Sequence, residues 1–149
     1  MNLDNLLKQI DEKKSENEEF EKENKRLISE NKEFYQGVIN ELTPLVNEYE
    51  SKLAEIGIKV SATVTPHMIS FELRYKDNSY SNLLLAPDID SDKYFCITTN
   101  GNDSGNGKNY TISNGARYGK HNWKNEIYIE ALEKHIKDFI FYSDRHGGF

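Results

Sequence analysis

The chain predicts an α+β protein. A long N-terminal helix forms a parallel coiled coil and leads into a small head, where an antiparallel meander of four to five strands is flanked by helices (α-β-β-β-β-α). Three observations carry this expectation. Residues 1–42 contain no proline and a single glycine, and their seam residues recur in alternating steps of three and four. After Gly57 the period switches to two. Beyond residue 122 helical spacing returns. Charge divides the chain in a similar way: residues 1–57 hold 14 acidic and 8 basic residues, and the remainder holds 11 of each, so the whole net charge of −6 lies in the N-terminal third.

The rod reads as a heptad series. Its a positions are Leu3, Ile10, Asn17, Asn24, Asn31 and Val38, and its d positions are Leu6, Lys13, Phe20, Leu27 and Phe34. Asparagine at a can pair with its counterpart across a two-stranded parallel seam, fixing register while weakening the pair. The residues expected to dimerise are Ile10, Asn17, Phe20, Asn24, Leu27, Asn31, Phe34 and Val38. A trimer, an antiparallel pair and a solitary charged helix remain open, since phenylalanine at d is unusual. Such a rod would reach about 60 Å.

Past Phe34 the steps lengthen to four at Val38 and Leu42, a stutter that unwinds a supercoil. Thr43-Pro44 then reads as the N-cap and first residue of a new or kinked helix. This places a dimerisation helix at 1–43 and a globular head at 44–149. Leu45, Tyr49, Leu53 and Ile56 suit packing on the head, and Gly57 is a natural stop.

In the head, Ile58, Val60, Ala62 and Val64 alternate with polar residues, as do Ile69, Phe71, Leu73 and Tyr75 after Pro66. Asp77-Asn78 is a turn leading to a strand over 80–86, with a further strand over 94–99. Clean alternation implies an antiparallel sheet with one covered and one wetter face. The simplest arrangement lays both helices on one face. Residues 100–109, N-G-N-D-S-G-N-G-K-N, read as a loop, and 110–112 as a short edge strand. Trp123, Ile127, Leu132, Ile136, Phe139 and Ile140 define a closing helix, N-capped by Asn122 and ending near Tyr142. The tail D-R-H-G-G-F reads as frayed.

Chemistry is sparse. Cys96 is the only cysteine, which excludes an intrachain disulfide and a Cys-based metal cluster. The start of the chain lacks a signal peptide's apolar core and no run is long enough to span a membrane, so the expected location is cytoplasmic, with no membrane partner. The loop G-N-D-S-G-N-G-K-N fails as a phosphate cradle: Gly101 lies one residue too far from Gly107, and Asn109 replaces the hydroxyl that holds magnesium. Asp88, Asp90 and Asp92 open like a calcium loop, but Lys93 and Thr99 stand where glycine and glutamate are needed. His67, His121, His135 and His146 show no ligand spacing. His135 reads either as a proton carrier or as a helix-surface residue. No catalytic residue, metal or cofactor is therefore assigned.

One segment has the composition of a binding site: G-A-R-Y-G-K-H-N-W-K, 115–124. With Lys108 it gives a candidate partner- or anion-binding set of Lys108, Arg117, Tyr118, Lys120, His121, Trp123 and Lys124. Cations interleave with rings just before a helix N-terminus, where free N–H groups favour an anion and rings can stack on a base or peptide. The structural alternative is that Trp123 anchors the helix into the core. The sequence thus supports a non-enzymatic homodimeric protein-interaction module, of adaptor or inhibitor type, whose partners are itself and another protein. The alternative is a nucleic-acid or nucleotide binder using 108–124, which an acidic rod opposes by repelling phosphates. Nothing in the residues identifies a reaction.

Overall fold

A computed structural model of the chain describes residues 2–88, 94–103, 108–113 and 115–149, and excludes the side chains of Leu27, Ile28 and Asp103. The elements are α1 (Asn2–Glu55), β1 (Lys59–Thr65), β2 (Met68–Arg74), β3 (Tyr80–Pro87), β4 (Phe95–Asp103), β5 (Lys108–Ser113), α2 (Asn125–Phe141) and a 3₁₀ turn η1 (Ser143–His146). The strands form one antiparallel meander in the order β1-β2-β3-β4-β5, and the α+β class holds.

Register follows from burial. Pairing of Phe71 with Leu83 and of Leu85 with both Ile69 and Ile97 aligns the apolar residues of β2, β3 and β4 on one face. Shifting by one residue would expose them all. The opposite face is polar: Ser70 donates to Asn82 at 2.7 Å, and Arg74 pairs with Glu72. Both helices contribute to one core with the apolar face, through Tyr35, Val38, Ile39, Leu42 and Val46 of α1 and Tyr128, Leu132 and Phe139 of α2. α1 lies over β1 and β2, and α2 over β3.

α1 runs unbroken through Pro44, so the expected break at Thr43-Pro44 is absent. An interior proline costs a helix about 3 kcal/mol. Burial of Ile39, Leu42 and Val46 on either side offsets that cost, and the Thr43 hydroxyl donates to the Ile39 carbonyl at 2.6 Å. The head also takes more of the helix than its spacing suggested. Val38 is buried and Phe34 packs against the core beside Tyr35 and Phe95, so both leave the seam in which their heptad positions put them. Ile56, expected to pack, is exposed. Gly57 does end the helix: at φ 88° it allows Gly57 N–H to reach the Ala54 carbonyl and Ile58 N–H the Leu53 carbonyl, both at 3.0 Å.

Three further expectations are corrected. Residues 100–103 and 108–109 are strand, pairing Asn102 with Asn109 and Gly101 with Tyr110. The Tyr110 ring lies over Gly101, where an added Cβ would come within 2.6 Å of the ring's Cζ. α2 starts at Asn125 with Lys124 at the N-cap. Asn122 instead ties the preceding loop, accepting from Gly119 N–H at 2.7 Å and donating to the Arg117 carbonyl at 3.0 Å. The tail is docked: His146 stacks on Tyr75 with ring centroids 4.2 Å apart, and Gly148 accepts from Lys76 N–H at 3.1 Å.

Candidate functional site

α2 lies over β3, and the same face of β5 stays exposed at Ile112. Ile112 is 63% exposed. Between β4–β5 and the α2–η1 wall lies a cleft of about 750 Å³. Leu83, Ile97 and Ile112 line its sheet side, with Lys134, His135 and Asp138 on the helix side. The ring of Tyr75 and the 3₁₀ turn border it further.

The rim charges are mostly satisfied. Lys134 and Asp138 pair at 3.9 Å, one turn apart on α2. Arg145 lies 4.9 Å from the centre of the Tyr142 ring. His146 Nδ1 is 2.9 Å from Asp77 Oδ2. Desolvation raises the Asp77 carboxyl, but the hydrogen bonds from Ser79 and His146 together outweigh it and hold the group below its usual value. Burial pushes the Tyr75 phenol up to about 12, keeping it a neutral donor.

His135 is not on the helix surface. It is 5% exposed, with Nε2 3.1 Å from the Ser81 carbonyl oxygen. A carbonyl can only accept, so Nε2 carries the proton. Burial lowers the imidazole pKa to about 4 despite that contact, so the ring is neutral at pH 7. The cleft thus offers apolar surface with paired charges at its mouth. Among the described residues no group of three His, Cys, Asp or Glu side chains could hold a metal.

The outer edge of β5 adds a second feature. Among the described residues no backbone hydrogen bond outside the sheet involves 108–113. β1, the other edge, is partly occupied: Glu50 of α1 accepts the Ala62 amide N–H. Among the described residues, β5 is therefore the edge whose backbone finds no partner outside the sheet.

The basic-aromatic set does not assemble. Lys108 pairs with Asp103 at one end of β4, whereas Tyr118 bridges Phe95 at the other, about 26 Å away at ~3.3 Å per residue. The rings turn inward. Trp123 packs 5.7 Å from Phe95 and 5.5 Å from Tyr118, its Nε1–H donating to Asn125 at 2.9 Å. Arg117 pairs with Asp88 at 3.3 Å, while Lys120, His121 and Lys124 are exposed. Glu126 sits in the first turn of α2, and Glu41 accepts from the Asn125 side chain at 2.7 Å, so two carboxylates lie near that helix end. Asp90 and Asp92, and residues 104–107 of the glycine-rich segment, lie outside the described residues. Burial raises the Cys96 thiol pKa, with Asp88 adding to it, which disfavours the reactive thiolate.

Sequence reasoning missed the cleft because its lining comes from well-separated segments. The one available signal is that Ala131, Lys134, His135 and Asp138 of α2 and its C-cap Tyr142 fall on one helical stripe, which is only partly apolar.

The stalk is the other candidate surface. Residues 2–23 are exposed throughout, with Leu3, Leu6 and Ile10 about half exposed and Phe20 71% exposed. Asn17 is exposed; Asn24 and Asn31 are half-buried. Arg26 bonds Glu23 at 3.1 Å and Glu30 at 3.1 Å, the one-turn pairing that supports a solvated helix. The Leu27 side chain lies outside the described residues.

No protein-family model, curated protein or solved structure matches the chain. The class is set by the fold alone: an α+β head with a projecting N-terminal helix. Among the described residues no helix is long and apolar enough to cross a membrane.

Proposed function

We propose that this protein is a homodimeric, non-enzymatic interaction module, adaptor or inhibitor in type, whose stalk pairs two heads. The observation that carries the reading is the exposed row Leu3, Leu6, Ile10 and Phe20 on a helical segment standing clear of the head. Full burial of such a side chain stabilises by about 1.5–3 kcal/mol, and a solvated helix gains most of its stability from packing an apolar face. Asparagines at Asn17, Asn24 and Asn31 suit a seam whose register must be specified. Each head then offers the cleft and the free β5 edge to an extended partner segment, which would gain main-chain hydrogen bonds from the edge and apolar burial in the cleft. Two heads on one particle raise avidity by effective concentration.

Binding of nucleic acid through 108–124 draws no support from this geometry, because Tyr118 and Trp123 face the core and Arg117 is paired.

Sedimentation equilibrium tests the proposal. The intact chain should run at twice 17.3 kDa. Ile10→Asp with Phe20→Asp should run as a folded monomer. A monomeric wild type at tens of micromolar would overturn the reading.

A further inference from the structure

Resting on the dimer reading above, we infer that the second copy lies antiparallel along the stalk, with the two heads at opposite ends of the particle. Asparagine spacing by itself favours the parallel alignment. The position of the head on α1 argues otherwise.

α1 is one continuous helix, so the facing of any residue follows from its number. Phe20 to Val38 and Asn24 to Leu42 are each 18 residues, and at about 3.6 residues per turn that is five whole turns. Leu6 to Leu42 is 36 residues, about ten turns. Val38 and Leu42 are buried against the sheet. The seam residues of the stalk therefore project from the same side of α1 as the residues that hold the head.

This has a steric consequence. A helix packed on the stalk seam sits about 8–10 Å from α1, on the side where β1 and β2 begin farther along. In a parallel pair, contact carried to Asn31 would send each α1 into the other copy's sheet, because Phe34 and Tyr35 already face their own core. In an antiparallel pair each helix ends where the other copy's head begins. The stalk from Asn2 to Ile28 overlays its own reverse across about 39 Å at ~1.5 Å per residue.

The side chains agree. With opposed residue numbers summing to 30, Ile10 meets Phe20 of the second copy, Leu6 meets Asn24, and Lys13 meets Asn17. Polar pairs lie at the centre, where they fix register. Parallel pairing would instead stack Lys13 on Lys13 inside the seam, where like charges repel. The result is a spacer whose head-contact regions, taken at Leu42, stand about 80 Å apart at ~1.5 Å per residue. It is built to bridge two separated sites instead of clamping one.

The test is a spin-label distance in the full chain. Asp4, exposed and outside the seam, is changed to cysteine in a Cys96→Ser background, and electron–electron coupling is measured alongside the sedimenting mass. The antiparallel register predicts about 33 Å between the two labelled positions, from 22 residues at ~1.5 Å each. A dimer with a label distance above about 25 Å, beyond what side-by-side parallel helices 8–10 Å apart allow, is the expected result. A dimer with a shorter distance overturns the antiparallel arrangement and leaves the dimer reading standing. A monomeric mass overturns both.

Discussion

The hydroxyl of Tyr75 donates to the backbone carbonyl of Phe139 at 2.8 Å, and the two rings stack with centroids 4.2 Å apart. One residue thus joins the end of β2 to the last turn of α2, where carbonyls lack intrahelical partners. His146 stacks on Tyr75 at 4.2 Å and Phe149 lies 5.4 Å from Phe139, so the C-terminus is part of the same clasp. Tyr75→Phe should cost about 1 kcal/mol, the net worth of one hydrogen bond. Tyr75→Ala should cost about 3–5 kcal/mol by emptying the stack. Urea denaturation reads both; equal losses would mean that the ring contributes nothing beyond its hydroxyl.

His135 gives the head a pH dependence of known sign. Its folded pKa is about 4, lowered by burial, against an ordinary value near 6.5. The unfolded chain binds the proton more tightly, so stability is complete above about pH 6.5 and is lost as pH falls towards 4. The full shift corresponds to about 3 kcal/mol at most. Asp138, which acts in the opposite direction on the same ring, is present in both forms of the comparison. His135→Gln keeps a donor for the Ser81 carbonyl and removes the titration. Melting curves between pH 7 and 4.5 should fall more steeply for wild type than for the variant. Parallel curves would show that the imidazole is solvated.

The boundary between stalk and head can be tested by truncation. Tyr35, Val38, Ile39 and Leu42 are at most 5% exposed. A chain starting at residue 30 keeps them; one starting at residue 44 removes all four. Loss of a single large core side chain costs about 2–5 kcal/mol, against a total stability of about 5–15 kcal/mol. Residues 30–149 should melt cooperatively, and residues 44–149 should not. Cooperative melting of the shorter piece would restore Pro44 as the head's true start.

What was legible in the sequence was what depends on local periodicity. The strict alternation of Ile69, Phe71 and Leu73 gave the covered face of β2, and the proline-free rod gave a long helix. The misreadings share a cause: tertiary contacts overrode local preference. Pro44 signals a helix start, but the core residues flanking it hold the helix through. Asn100–Asp103 carries turn residues, yet ladder pairing to β5 and the Tyr110 ring over Gly101 make it strand. Gly147 and Gly148 suggest fraying, while His146 and Phe149 on either side of them find aromatic partners. The cleft was illegible because it exists only where α2 stops short of β5, a fact of packing. In the stalk, Ile10 and Phe20 are exposed, whereas Phe34 and Val38 share their spacing and pack into the head.

That lesson bears most directly on the basic-aromatic segment, where composition suggested binding and packing suggests support. Trp123 touches Phe95 and Tyr118 and bonds Asn125, joining the loop, β4 and the start of α2. Replacing it by alanine should remove about 3 kcal/mol or more, the usual cost of deleting a packed aromatic side chain. Trp123→Phe keeps a ring and loses the indole N–H donor, so it should cost only about 1 kcal/mol. Lys120, exposed in the adjoining turn, should tolerate alanine within about 0.5 kcal/mol. Denaturation of the three variants separates the two roles. If Trp123→Ala is as stable as Lys120→Ala, the ring does not support the head, and the segment returns as a candidate binding surface.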